Sequence, residues 1–158
     1  MEEPATWNIA AENAVSTIEE LVRKKPKISI PDLRDRLDKF IDSMYSAPGG
    51  NSNAITHFAQ IGADSWELST KAGFHLSVPY VTNVLVKKQR DYGPENIARF
   101  QRQGLLIRLH DKVARLENLA ANDRDPNNES IEDTYLDIVG YTAIGIMWER
   151  RHFLLPLK

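Results

Sequence analysis

The sequence predicts an all-α protein, a helical bundle in which one antiparallel helix pair carries a polar site. Apolar residues recur along the chain at spacings of three and four, whereas the alternation typical of strands is nearly absent. Clusters of glycine, proline and asparagine separate the helical stretches. The chain should therefore consist of amphipathic helices joined by turns.

The first half of the chain is predicted to form three helices. The first ends at 24–27, where lysines surround a proline, and the second begins with a capping box of Ser29 and Asp32. After a breaker over 47–51, a third helix over 53–61 leads into an irregular link that starts at Gly62. The second helix turns one apolar face inward, made of Leu33, Leu37, Phe40, Ile41 and Met44.

The second half is divided more sharply. Its predicted features are a helix over 80–90, a stop over 91–94, one or two helices over 96–119 bent near Gly104, a turn-rich loop over 122–128 and a helix over 129–148. We assign 80–158 to one helical domain and 1–79 to a helical extension for oligomerisation or partner contact. A homo-oligomer is expected, with the apolar tail 153–157 as a candidate interface.

Composition excludes several classes of function. Lysine and arginine number 20 against 22 acidic residues, so no overall field favours nucleic acid or an anionic membrane. The absence of cysteine excludes disulfides, thiolate catalysis and cysteine-bound zinc. No apolar run reaches the roughly 18 residues of a membrane span. The expectation is a soluble, cytoplasmic protein.

Asp137 gives the strongest indication of a functional site. It lies within 129–148, a stretch that is apolar on nearly every side and is therefore expected to be buried. A buried carboxylate is costly unless a cation or hydrogen-bond donors compensate it. At helical spacing its neighbours are Asp133 and Tyr141 rather than a lysine or arginine. A basic side chain from elsewhere or a metal ion must compensate it.

The preceding helix offers basic partners at three- and four-residue spacing. A short loop would place this helix antiparallel to the acidic one. One interpretation is purely structural: Asp137 pairs with Arg108, Lys112 or Arg115 of that helix, and Asp133 completes a capping box with Ser130. The alternative is a ligand site, which a second polar cluster around Tyr92 favours.

Carboxylates grouped without histidine or cysteine suit Mg²⁺ or Mn²⁺, which take oxygen ligands and share them with phosphates. Lysine and arginine would hold the phosphate oxygens, so the combination predicts a nucleotide site. The predicted metal ligands are Asp111, Glu129, Asp133 and Asp137, of which Asp111 and Asp137 are also the predicted catalytic residues. The predicted substrate-binding residues are Lys87, Asp91, Tyr92, Asn96, Arg108, Lys112 and Arg115.

Three groups of residues follow one another between 87 and 148. They are Lys87, Asp91, Tyr92 and Gly93; Arg108, Asp111, Lys112, Arg115, Leu116, Asn118 and Leu119; and Glu129, Ser130, Asp133, Thr134, Asp137 and Tyr141. Together they resemble the phage-encoded nucleotide-modification-associated domains, the first family of that name. The resemblance implies a role in nucleotide supply or base modification, in the cytoplasm of the phage host.

The same region is more distantly similar to the all-α nucleoside triphosphate pyrophosphatases, which include MazG-like enzymes and dimeric dUTPases. That similarity implies Mg²⁺ held by Glu-x-x-Glu on one helix and Glu-x-x-Asp on another, with Asp137 matching the final aspartate. Here Thr134 replaces the glutamate of the second motif, and the first helix offers only Asp111 beside Lys112. These departures favour nucleotide binding over hydrolysis.

Three hypotheses follow. The first is a metal-dependent hydrolase or pyrophosphohydrolase that acts on a (deoxy)nucleotide phosphate. The second is a module that binds or sequesters a nucleotide without turnover. The third is a structural or interaction protein whose acids and bases only pair with each other.

Overall fold

A computed structural model describes residues 2–24, 27–46, 53–122 and 130–158, and in these ranges the chain forms seven helices and no strand. The predicted all-α class is confirmed. In chain order the helices are α1 (Trp7–Val22), α2 (Ile30–Ser46), α3 (Ala54–Lys71), α4 (Val78–Tyr92), α5 (Glu95–Ala98), α6 (Gln101–Asn122) and α7 (Ile131–Glu149). No helix in these ranges is long and apolar enough to cross a membrane.

Helix α7 lies at the centre of the bundle, as its apolar composition predicts. It packs against α1, α3, α4 and α6. Every helix contributes to one cluster of buried side chains, for example Trp7, Phe40, Phe58, Leu85, Ile97, Leu109 and Ile138. Residues on both sides of the predicted domain boundary at position 79 therefore share a single hydrophobic core.

The predicted capping box at the start of α2 is formed, with each of the two side chains accepting a hydrogen bond from the backbone N–H of the other residue. The Ser29 hydroxyl accepts a hydrogen bond from the backbone N–H of Asp32 at 3.3 Å, and Asp32 Oδ2 accepts one from the Ser29 N–H at 3.0 Å. The Ser29 hydroxyl also donates to Asp32 Oδ2 at 2.7 Å. These bonds hold the pKa of Asp32 below its usual value.

Replacing Ser29 with alanine should lower the free energy of unfolding by about 1 kcal/mol, the usual cost of losing an N-cap side chain. Urea unfolding followed by circular dichroism measures the loss. Ser29→Asn keeps an acceptor at the cap and should recover most of it. Equal stability of the alanine and asparagine variants would contradict a capping role for Ser29.

The expected link after Gly62 is wrong, because α3 continues through this glycine to Lys71. A Cβ at Gly62 would lie 2.4 Å from Thr142 Oγ1 on α7 and 3.0 Å from Ile18 Cδ1 on α1. Gly62 thus permits close approach of three helices and does not break the chain.

The bend expected near Gly104 occurs earlier. Helix α5 ends at Ala98, and Gln101, with a left-handed φ of 57°, begins α6. Gly104 lies inside α6. The glycine at position 104 led to a prediction three residues too late. The residue with left-handed backbone geometry at the break is Gln101, not a glycine.

The C-terminal tail packs onto α1. Phe153 is buried, and the backbone oxygen of Pro156 accepts a hydrogen bond from the Trp7 N–H at 2.9 Å. Of the predicted interface 153–157, Leu154 is strongly exposed. The breaker over 47–51 and residues 123–128 of the predicted loop lie outside the described residues.

Candidate functional site

A pocket of about 440 Å³ lies among α4, α5, α6 and α7. Its volume falls within the roughly 300–1,000 Å³ of small-molecule sites. The apolar part of its lining consists of Val81, Val84, Leu85, Ile97, Leu136, Gly140 and Ile144. The polar and aromatic part consists of Lys88, Gln89, Tyr92, Asn96, Arg108, Asp137 and Tyr141.

The turn between α4 and α5, which the sequence predicted as a helix stop over 91–94, forms one end of this pocket. Helix α4 ends at Tyr92, and Gly93 adopts a φ of 68°, a left-handed conformation that glycine accepts without strain. The chain then turns at Pro94 into α5, which brings Asn96 and Ile97 to the pocket wall. A turn recognised in the sequence therefore places two of the predicted ligand contacts, Tyr92 and Asn96.

The carboxylate of Asp137 connects three helices at the pocket wall. Its Oδ1 accepts a hydrogen bond from Lys88 Nζ of α4 at 3.0 Å, and its Oδ2 lies 2.9 Å from Lys112 Nζ of α6. The Asp137 side chain is only 15% exposed. Basic side chains from other helices thus compensate the buried charge, as expected, and Lys112 is one of the three partners named in the structural interpretation.

Two opposing effects set the pKa of Asp137. Burial raises it, since a carboxylate loses solvation away from water. Hydrogen bonds from Lys112 and Lys88, together with their positive charges, act in the opposite direction and bring the pKa below its usual value. Asp137 is therefore ionised at neutral pH and holds two ammonium groups in place.

Arg108 presents a different kind of positive charge. Its Nη2 donates to the backbone oxygen of Asn96 at 3.4 Å, and its guanidinium carbon lies 5.7 Å from the centre of the Tyr141 ring. Within the described ranges no ion pair joins Arg108 to a carboxylate. The neighbouring Asn96 Oδ1 is buried without a hydrogen-bond donor. The pocket wall thus carries an unneutralised cation beside an unused acceptor.

Several predicted site residues lie away from the pocket. Arg115 donates to Thr134 Oγ1 at 2.6 Å, and the Ser130 hydroxyl accepts from the Asp133 N–H at 3.0 Å, which forms the Ser130 half of the proposed capping box. The exposed members that do not line the pocket are Lys87, Asp91, Asp111 and Asp133. Glu129 falls outside the described residues.

The described residues do not fit a carboxylate-held Mg²⁺ or Mn²⁺ at Asp137. Each of its oxygens already faces a lysine ammonium. No group of three or more histidine, aspartate or glutamate side chains able to hold an ion occurs in the parts of the chain that can be described. Asp111 and Asp133 are exposed and, unlike Asp137, do not line the pocket.

Lys88 is the principal residue that the sequence analysis missed in favour of Lys87. The signal was present, because Val81, Val84 and Leu85 form an apolar stripe in the predicted helix and position 88 continues their spacing of three and four. Both lysines are exposed, but only Lys88 lines the pocket. Extending the apolar stripe by one step would have selected the lysine that binds Asp137.

No family model matches the sequence, and neither a curated protein nor a solved structure is significantly similar to it. The resemblance to phage nucleotide-modification-associated domains and to MazG-like pyrophosphatases stays a prediction. The functional argument below rests on the pocket.

Proposed function

We propose that this protein binds a nucleotide-type ligand, a planar base joined to a phosphate-bearing sugar, in the pocket among α4, α5, α6 and α7. The single observation that carries the proposal is the position of Arg108. This cation lines a partly apolar pocket and has no carboxylate partner among the described residues. An arginine in that setting is suited to bind an anionic oxygen group, above all a phosphate.

The remaining lining suits the base. Leu85, Ile97 and Ile144 supply an apolar surface, and the rings of Tyr92 and Tyr141 supply aromatic contact. Asn96 Oδ1 is a buried acceptor without a donor, a costly arrangement that an amino group of a base would relieve. Pockets with an apolar lining and a few placed polar groups are typical of small-molecule sites.

The proposal is a binding function and includes no hydrolytic step. The described carboxylates do not converge on an ion site, and both oxygens of Asp137 are occupied by lysines. The hypothesis of a metal-dependent hydrolase stays a prediction from the sequence. Measurements with and without Mg²⁺ separate the two functions.

The proposal is tested by thermal unfolding with the mono-, di- and triphosphates of the common nucleosides and deoxynucleosides, with Mg²⁺ or with EDTA. A ligand that binds only the folded state stabilises it, by about 2.7 kcal/mol at 100 times its Kd. We expect at least one nucleotide to raise the Tm at millimolar concentration. No shift with any member of the panel would overturn the proposal.

Arg108→Gln should weaken binding of the stabilising nucleotide by about tenfold to a hundredfold, which is the usual contribution of hydrogen bonds to a charged group. Isothermal titration calorimetry measures this. Arg99→Gln is the matched control, because Arg99 is exposed and does not line the pocket. Equal losses in the two variants would point to a nonspecific charge effect rather than to a contact in the pocket.

A further inference from the structure

The two lysines that hold Asp137 are not equivalent. Lys112 is 20% exposed and does not line the pocket, whereas Lys88 is 51% exposed and does. Lys88 reaches the carboxylate from α4, and Lys112 reaches it from α6. Lys112 is therefore placed as a structural partner of Asp137, whereas Lys88 borders the space that a ligand would occupy.

This arrangement allows a lysine to change partners at low cost. If Asp137 had a single lysine, movement of that lysine to a ligand would leave a buried carboxylate without a counter-charge, which is strongly unfavourable. With Lys112 retained at 2.9 Å, Asp137 stays compensated when Lys88 turns away. The flexible stem of lysine permits this movement over a short distance.

The positive charges that are available to a ligand indicate which class of anion the pocket binds. With Lys112 retained on Asp137, Lys88 and Arg108 provide two positive charges at the pocket wall. A phosphate monoester carries about −1.5 to −2 at neutral pH and matches this pair. A triphosphate adds charge that the pair does not neutralise, and Asp137 in the same wall would repel it.

We infer that the site selects a nucleoside monophosphate, whose terminal phosphate is bound without a metal ion by Arg108 and by Lys88 released from Asp137. This inference rests on the proposed function, because it names the charged part of the same ligand. It adds the number of phosphates, the independence from metal and the role of Lys88 as a residue that determines specificity.

Titration calorimetry with three forms of each of the four common deoxynucleosides tests the inference. The probes are the free deoxynucleoside, the 5′-monophosphate and the 5′-triphosphate, each with EDTA and with Mg²⁺. We expect one monophosphate to bind in EDTA at least about tenfold more tightly than its nucleoside and its triphosphate, the effect of one charge-assisted contact. Mg²⁺ should leave the affinity for the monophosphate unchanged.

The other outcomes are distinguishable. Tighter binding of a triphosphate with Mg²⁺ would overturn the inference and leave the proposed function intact. Equal binding of nucleoside and monophosphate would also overturn it, since the phosphate would then contribute nothing. Absence of binding by every probe would remove the proposed function together with the inference.

Paired variants separate the two lysines. Lys88→Gln should lose about tenfold in monophosphate affinity, keep its affinity for the free nucleoside and show only a small fall in Tm, because Lys112 still compensates Asp137. Lys112→Gln should show the larger fall in Tm. Unchanged monophosphate affinity in Lys88→Gln, or an equal fall in Tm for both variants, would contradict an exchange of partners by Lys88.

Discussion

Replacing Asp137 with asparagine should lower the free energy of unfolding by about 3 kcal/mol. Removing one partner of a buried ion pair costs roughly 3–5 kcal/mol, because the remaining charge stays without a counter-charge. The lower end applies here, since Lys88 is half exposed and regains water more readily than Lys112. Urea unfolding at neutral pH measures the loss.

The pH dependence of this loss identifies its electrostatic origin. The folded-state pKa of Asp137 is lowered, so its contribution to stability is present above the unfolded value of about 4 and disappears as pH falls through the folded value. The difference in unfolding free energy between the original chain and Asp137→Asn should be largest at neutral pH. It should shrink as the pH falls below about 4, because the carboxylate of the unfolded chain takes up a proton there, and it should largely disappear below the lowered pKa of the folded state.

Asp111→Asn is the control, because Asp111 is exposed on α6 and its change should stay within about 0.5 kcal/mol. Comparing Asp111→Asn with Asp137→Asn also distinguishes a catalytic metal site from a structural ion pair. If Asp111 and Asp137 held a catalytic metal, both variants would lose turnover of a nucleotide and Asp137→Asn would stay stable. Full stability of Asp137→Asn at neutral pH would contradict the structural role of its two lysines.

The site was only partly predictable from sequence, and Asp137 shows why. A carboxylate on an apolar helix requires compensation, so its importance follows from one segment of sequence alone. Which cation compensates it depends on how α4 and α6 sit on α7, which local spacing does not specify. The sequence therefore offered Lys112 among three possible partners of Asp137 and did not offer Lys88.

The fold was predictable where apolar periodicity was strong, and the errors concern glycine. Helix formation over α4, α6 and α7 follows from spacing that the tertiary structure reinforces. A glycine has two different uses, a chain turn or a close contact between helices, and its neighbours in sequence do not distinguish them. Gly93 is the first kind and Gly62 is the second.

Gly145 is a second glycine of the close-contact kind and gives the other large expected effect. A Cβ at this position of α7 would lie 2.6 Å from Cδ1 and Cε1 of Phe58 on α3. The Phe58 ring is fully buried and packs edge-on against Phe40, with 4.9 Å between the ring centres, so any displacement of it disturbs the core. Gly145→Ala must therefore displace the Phe58 ring within the core or move α3 away from α7.

We expect Gly145→Ala to lower the free energy of unfolding by about 2 kcal/mol. Overpacking a core costs typically 1–3 kcal/mol, and the upper end applies where a rigid ring is the obstacle. The better helix propensity of alanine offsets about 1 kcal/mol of that cost. Chemical unfolding of the two proteins under identical conditions gives the difference directly.

Gly140→Ala provides the matched comparison on the same helix. Its Cβ would meet only the Cδ2 of Leu85, at 3.2 Å, and a leucine terminus can yield by a few tenths of an ångström. Alanine should therefore be nearly neutral there, because a small packing cost opposes the gain in helix propensity. A stable Gly145→Ala variant would mean that Phe58 can move aside, and that the tight contact between α3 and α7 does not depend on the absence of a side chain at position 145.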